Sequence, residues 1–132
     1  MDMTGIGLFQ LAGKRLDYLA QRHQVIAQNV VNANTPGYVA KDLQAFDKLM
    51  SELRPVAAAR TNPLHLAGTR PAMGVQERAR SDLWETTPDR NTVSLEQEML
   101  KSSETREAYG LVANLYQKHA GMLRLAYGGH GG

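Results

Sequence analysis

From Leu95 to Tyr127 one set of positions steps by four and three residues without a break: Leu95, Met99, Ser102, Arg106, Tyr109, Ala113, Tyr116, Ala120, Leu123 and Tyr127. A second run, Phe9, Ala12, Leu16, Leu19, His23, Ile26, Val30 and Ala33, alternates the same way near the other end. This is the a and d alternation of a heptad, which gathers these residues on one side of a helix and gives a strand nothing to alternate. A flanking stripe, Ala108, Leu111, Leu115, Met122 and Leu125, widens the C-terminal apolar face. That width suits a helix with more than one helical neighbour. His23, the one polar member of the first run, reads as an interface histidine.

Local signals place the ends of both helices. The first is expected from about Thr4 to just before Asn34, because Pro36 disfavours helical geometry at Thr35. Its thirty residues make a rod of roughly 45 Å. The second opens at Ser94-Leu95-Glu96-Gln97, which fits a capping box, with Glu96 and Glu98 at the positive end of the helix dipole. It runs roughly 51 Å before Gly128-Gly129-His130-Gly131-Gly132, a tail that should fray. Gly110 and Gly121 each cost about 1 kcal/mol within a helix, which suggests close approach of another backbone. Between the helices, residues 51–90 hold Pro55, Pro63, Pro71 and Pro88 and only sparse, aperiodic apolar residues: Leu64, Leu66, Met73, Val75, Leu83 and Trp84. Such a segment buries too little to offset its ordering entropy unless it packs on partners.

The fold expected is mainly α. Two long terminal helices form an antiparallel coiled-coil-like hairpin, with an irregular or short-β middle. The divisions are an N-terminal helix at 1–34, a turn and its sequel at 35–50, the middle at 51–90, and a C-terminal helix with its glycine tail at 91–132. Within the hairpin, Leu16, Leu19, Ile26 and Val30 are expected to face Met99, Tyr109, Leu115, Tyr116 and Leu123.

Composition removes most chemistry. The chain has 132 residues and no cysteine, so disulfides, thiolate zinc sites and cysteine nucleophiles are excluded. Its 15 basic and 13 acidic residues are spread evenly, leaving no concentrated patch to displace counterions from nucleic-acid phosphates. His23, His65, His119 and His130 lack zinc-helix spacing, and no phosphate-binding glycine loop appears. Ser102 and Ser103 have no base placed to activate them. Most carboxylates read as members of solvated helix faces. No enzyme, cofactor, metal, nucleic-acid partner or small-molecule substrate is expected. Nor does any apolar stretch reach the roughly 18–20 residues of a membrane span, and the N-terminus lacks the basic and small-residue features of a cleaved secretory signal.

One short element is more specific. Asn29, Asn32 and Asn34 close the first helix, able to cap its last carbonyls or to adopt left-handed geometry. Thr35-Pro36-Gly37-Tyr38 then suits a type II turn, with Pro second and Gly third. This stretch resembles the Asn-x-x-Asn-x-x-Thr-Pro-Gly-Tyr signature of the bacterial flagellar rod, hook and hook-associated axial proteins. Asp42-Leu43-Gln44-Ala45-Phe46 is similar to the family's sequel, and Asn91-Thr92-Val93-Ser94-Leu95-Glu96-Gln97-Glu98-Met99 to the entry of its C-terminal helix. Thr61-Asn62-Pro63-Leu64-His65-Leu66 and the tail from Lys118 to Gly129 resemble the proximal-rod type. A middle of some 40 residues has no space for the β-rich insertion of hook and distal-rod proteins. Val31 departs from the family's usual Ala, which implies a looser helix contact there or a wider groove shared with Val30.

The resemblance implies a structural subunit of the flagellar basal-body rod that polymerises helically through its terminal helices and transmits torque. It implies passage through the flagellar type III export apparatus without signal cleavage, and a periplasmic rod location. The partners implied are further copies, other rod proteins and the junction of the rod with the membrane ring. The resemblance also marks Asn29, Asn32, Asn34, Thr35, Pro36, Gly37 and Tyr38 as assembly residues. A soluble coiled-coil adaptor or secretion chaperone would account for the heptads but would leave the Asn and Thr-Pro-Gly-Tyr element without a role.

Overall fold

The computed structural model describes residues 3–52 and 77–128. Helix α1 covers Met3–Val31, strand β1 Lys41–Leu43, helix α2 Phe46–Glu52, strand β2 Glu77–Ala79 and helix α3 Leu95–Gly128. The long terminal helices lie where the heptads put them, with α1 beginning one residue before Thr4. A short β piece forms across two of the divisions: β2 of the middle pairs antiparallel with β1 of the turn's sequel, Lys41 opposite Ala79 and Leu43 opposite Glu77. Helix α2, seven residues long, is an addition to the sequence reading. The Thr61–Leu66 segment, Pro55, Pro63, Pro71, Met73, Val75 and the tail from Gly129 lie outside the described residues.

α1 and α3 lie side by side. Near one end the Phe9 ring meets Tyr116 edge-on, with centroids 4.9 Å apart. Near the other, the Asn29 amide reaches the Glu98 carboxylate at 3.1 Å. The apolar core sits between these points, where Tyr18 and Leu19 of α1 bury against Phe46 and Leu49 of α2. Leu43, Met50, Ala108 and Val112 close around them. Arg15 covers this cluster, its guanidinium 4.7 Å from the Phe46 centroid. Each fully buried large side chain contributes about 1.5–3 kcal/mol, so this small cluster anchors only the middle third of the long helices.

Several sequence expectations are corrected. The capping box does not close: the Ser94 hydroxyl pairs with Glu96, and Gln97 turns inward to donate to the Asp82 carbonyl at 2.5 Å. A β-carbon at Gly110 or Gly121 would meet nothing within 4 Å, so no backbone among the described residues approaches either glycine. Glu98 is no solvated helix residue but fully buried, held by Arg80. The described asparagines do not enter left-handed geometry; the positive-φ residues described are Arg90 and Gly37. His23 is exposed within this chain. On α1 the buried set is Tyr18, Leu19, Val25, Ile26 and Asn29, a face rotated from the a and d seam because α2 and β1 cover that side as well.

Candidate assembly site

The Asn and Thr-Pro-Gly-Tyr segment is clasped by the residues that lead into α3. Pro36 forces α1 to stop, and the chain turns back with the Tyr38 amide donating to the Thr35 carbonyl at 3.2 Å. Gly37 takes φ +72°, the third-position geometry of a type II turn that glycine adopts without strain. The Gly37 amide then donates to the Asp89 carbonyl at 2.9 Å. The last turn of α1 leaves carbonyls unpaired within the helix. The Gln28 carbonyl accepts twice from Asn32, from its backbone amide at 3.1 Å and its side-chain amide at 2.8 Å. Asn91, almost wholly buried, donates to the carbonyls of Asn32 and Thr35 at 2.9 and 2.8 Å. The Thr92 amide donates to the Tyr38 carbonyl, and its hydroxyl accepts from the Ala40 amide at 2.8 Å.

Asn29 is the hub on the α1 side. Completely buried, it donates to the Lys41 carbonyl at 2.7 Å and to Glu98 at 3.1 Å. It accepts from the Lys41 amide at 3.0 Å and the Tyr38 hydroxyl at 3.3 Å. Both donors and both acceptor sites of the amide are thus used, which neither Asp nor Ala could reproduce. Glu98 is shared between Asn29 and the buried Arg80, and the Arg80 amide donates to the Ala40 carbonyl at 2.9 Å.

A second set of charges lies beside the first. Arg22 grips Asp42 with two hydrogen bonds of 3.0 Å, and Lys101 bridges Asp42 and Asp82 at 3.0 and 2.9 Å. Burial pushes the Asp42 carboxyl up, but the hydrogen bonds from Arg22 and Lys101 outweigh it and bring its pKa down to about 2. These two networks tie α1, β1, the strand β2 exit and the first turns of α3 into one unit.

Beyond that unit the helices carry apolar side chains that this chain leaves uncovered. Of the expected interface, Leu19 and Ile26 are buried and Leu16 half-buried, while Val30, Met99, Tyr109, Leu115, Tyr116 and Leu123 are exposed. Met99 is 72% exposed, Leu125 79% and Val31 81%, so Val31 makes no tight helix contact inside the chain. On α3 the buried residues are Gln97, Glu98 and Thr105, all polar. A groove of about 770 Å³ opens between α1, α2 and α3, with Leu8, Phe9, Leu11 and Tyr116 on its walls.

Of the motif residues, the structure brings Asn29, Asn32, Thr35, Gly37 and Tyr38 into the clasp, and Asn34 and Pro36 face solvent. Sequence reasoning missed Asn91 and Glu98 as partners of the motif, Arg80 as the partner of Glu98, and Asp42 and Lys101 as the charge network beside them. Asp42, Asn91 and Glu98 lay in the stretches that resemble the axial family, whereas Arg80 and Lys101 carried no signal. These residues gain their meaning from contacts 12 to 69 residues apart in sequence, as Asn29 does with Lys41 and Glu98. Among the described residues, no three His, Asp or Glu side chains gather to hold a metal ion, and no helix is long and apolar enough to cross a membrane.

No protein-family model matches the sequence. Two curated proteins align along almost all of it. The flagellar basal body rod protein FlgB of Agrobacterium fabrum is 34% identical over 125 residues, covering 92% of this chain and 93% of the relative. That of Salmonella typhimurium is 30% identical over 128 residues, covering 87% and 89%. An alignment of that extent takes in both long helices, the turn between them and the residues that clasp it, and the chain therefore belongs to the FlgB family of flagellar basal body rod proteins.

Proposed function

We propose that this chain is a structural subunit of the proximal rod of the flagellar basal body, polymerising through its terminal helices to transmit torque. The observation that carries the reading is the uncovered apolar face of α3, where Tyr109, Leu115, Tyr116 and Leu123 stay exposed on a helix that a lone soluble subunit would need to bury. Its family membership supports the same role, and the names of its relatives lend no support to an adaptor or chaperone. The role is mechanical and uses no cofactor or small-molecule substrate.

The working unit is an antiparallel hairpin of α1 and α3. Pairing of Phe9 with Tyr116 and of Asn29 with Glu98 supports that direction. Asn29 to Tyr38 fix the angle at which the hairpin leaves the turn, so the motif acts in assembly by orienting the two helices. The chain's divisions follow: a helix at 1–34, the turn and its sequel at 35–50, the middle at 51–90, and the second helix with its tail at 91–132. Further copies, other rod proteins and the rod's junction with the membrane ring are the partners. The subunit reaches the periplasmic rod through the flagellar type III export apparatus without loss of a signal peptide.

The test is complementation of a strain lacking the chain. Leu123→Asp should abolish motility and basal-body recovery, since an unpaired carboxylate in an apolar interface is costly and the loss recurs at each subunit. Normal yields of basal bodies from that variant would end the assembly reading.

A further inference from the structure

The loop between β2 and α3 carries an apolar pair that the described residues leave largely exposed. Trp84, the single tryptophan, is 61% exposed, and Leu83 beside it is exposed too. Acidic residues bracket the pair, Asp82 before it and Glu85 after it. Asp82 is anchored to Lys101 and Arg80, which holds the knob beside the first turns of α3. Glu85 takes part in no ion pair among the described residues.

A receptor of matching character lies elsewhere on the same molecule. The groove between α1, α2 and α3 has apolar walls, and Arg15 stands among its lining residues with its guanidinium over the Phe46 and Tyr18 rings. Arg15 too has no carboxylate partner among the described residues. Its cationic head can meet another aromatic face or an acid. The α3 wall of the groove runs from Val112 to His119, 11 to 18 residues beyond Lys101. That is roughly 16–27 Å along the helix, so the knob cannot occupy its own groove.

We infer that the Leu83-Trp84 knob of one copy seats in the α1/α2/α3 groove of a second copy, with Glu85 placed against Arg15. The inference rests on the assembly role proposed above and adds which two surfaces meet. Knob and groove are different patches, separated along the long axis, so the contact is heterologous and passes from copy to copy head to tail. Burying a tryptophan removes about 150–250 Å² from water, far below the roughly 1,200 Å² of a stable specific interface. The knob is therefore an anchor within wider helix packing, in the manner of an aromatic hot spot.

The single tryptophan and the absence of cysteine make the test direct. Sedimentation velocity and Trp84 emission are followed together over a concentration series of the full chain. Emission should shift to the blue in step with association, and Trp84→Ala should weaken association about tenfold or more with an unchanged far-ultraviolet circular dichroism spectrum. Mixed Thr86→Cys and Leu11→Cys chains, which keep Trp84, should form a disulfide-linked dimer under mild oxidation, whereas neither variant alone should. Association without an emission shift, or cross-linking of one variant alone as efficient as the mixture, overturns the knob and leaves the assembly role standing. A wild-type chain that stays monomeric throughout counts against both.

Discussion

Asn29 and Asn91 divide one task at the helix junction: Asn29 ties the end of α1 to Lys41, Tyr38 and Glu98, and Asn91 holds the Asn32 and Thr35 carbonyls while accepting from the Val93 amide. Removing a buried donor strands its acceptors at about 1–3 kcal/mol each. Asn91→Ala should therefore lower stability by about 2–4 kcal/mol, read as a shift in the urea midpoint. Asn91→Asp should cost more, because a carboxylate facing the Asn32 and Thr35 carbonyls cannot donate to either. A midpoint for Asn91→Asp at or above that of Asn91→Ala would mean water replaces the amide freely. At Gly37 the constraint is backbone geometry. A β-carbon there would meet no atom within 4 Å, so only the φ of +72° resists substitution. Gly37→Val should cost about 1–3 kcal/mol and impair assembly more than export, checked by comparing secreted protein with basal-body yield.

At the scale of elements, charge holds what the small apolar core does not reach. Asp42 connects β1 to α1 through Arg22 and to α3 through Lys101. Its folded pKa of about 2 lies below the ordinary carboxylate value near 4. The group is more acidic when folded, so its contribution is complete above about pH 4 and disappears as pH falls through about 2. Screening at this partly exposed site brings that contribution to about 1–2 kcal/mol. Asp42→Asn should lower stability near neutral pH by that amount and flatten the stability curve between about pH 4 and pH 2, followed by thermal unfolding across the acid range. An unchanged slope would assign the acid sensitivity to other carboxylates. The distal half of α3 should behave differently. Leu115 is 53% exposed, so Leu115→Asp should leave monomer unfolding within about 0.5 kcal/mol of wild type while removing basal bodies. A large loss of monomer stability would place Leu115 in the subunit's own core.

Across the whole molecule, stability is uneven by construction. One end of the α1–α3 pair is knit by Asn29, Asn91, Arg80 and Glu98, the middle by Tyr18, Leu19, Phe46 and Leu49, and the other end, among the described residues, by Phe9 against Tyr116 and His119. Regions with few buried contacts open at low free energy. Amide exchange in the free subunit should therefore be slow over residues 18–31 and 91–108 and fast over 115–128, with the fast set becoming protected in assembled rods. Uniform protection along α3 in the free chain would contradict this.

Heptad spacing, the Pro36 stop, the Thr35–Tyr38 turn and the Asn-rich motif were legible in the chain because each depends on residues within a few positions of one another. Periodicity of 3.5 residues is a local property, and a proline or a left-handed glycine acts on its own backbone whatever surrounds it. Local order could not tell that Glu98 is buried when Glu96 is not, nor that Gln97 leaves its capping role for Asp82. It could not find Arg80 as Glu98's partner or choose which side of α1 would be covered. Those outcomes depend on α2 and β2 lying against the helices, and burial of a charge is tolerated only once a partner from a distant stretch has been brought to it. Two helices and the turn that ends the first follow from residues close together in the chain. Tertiary structure alone decided which of their polar residues became the clasp, because desolvation is a property of the packed molecule and not of any segment.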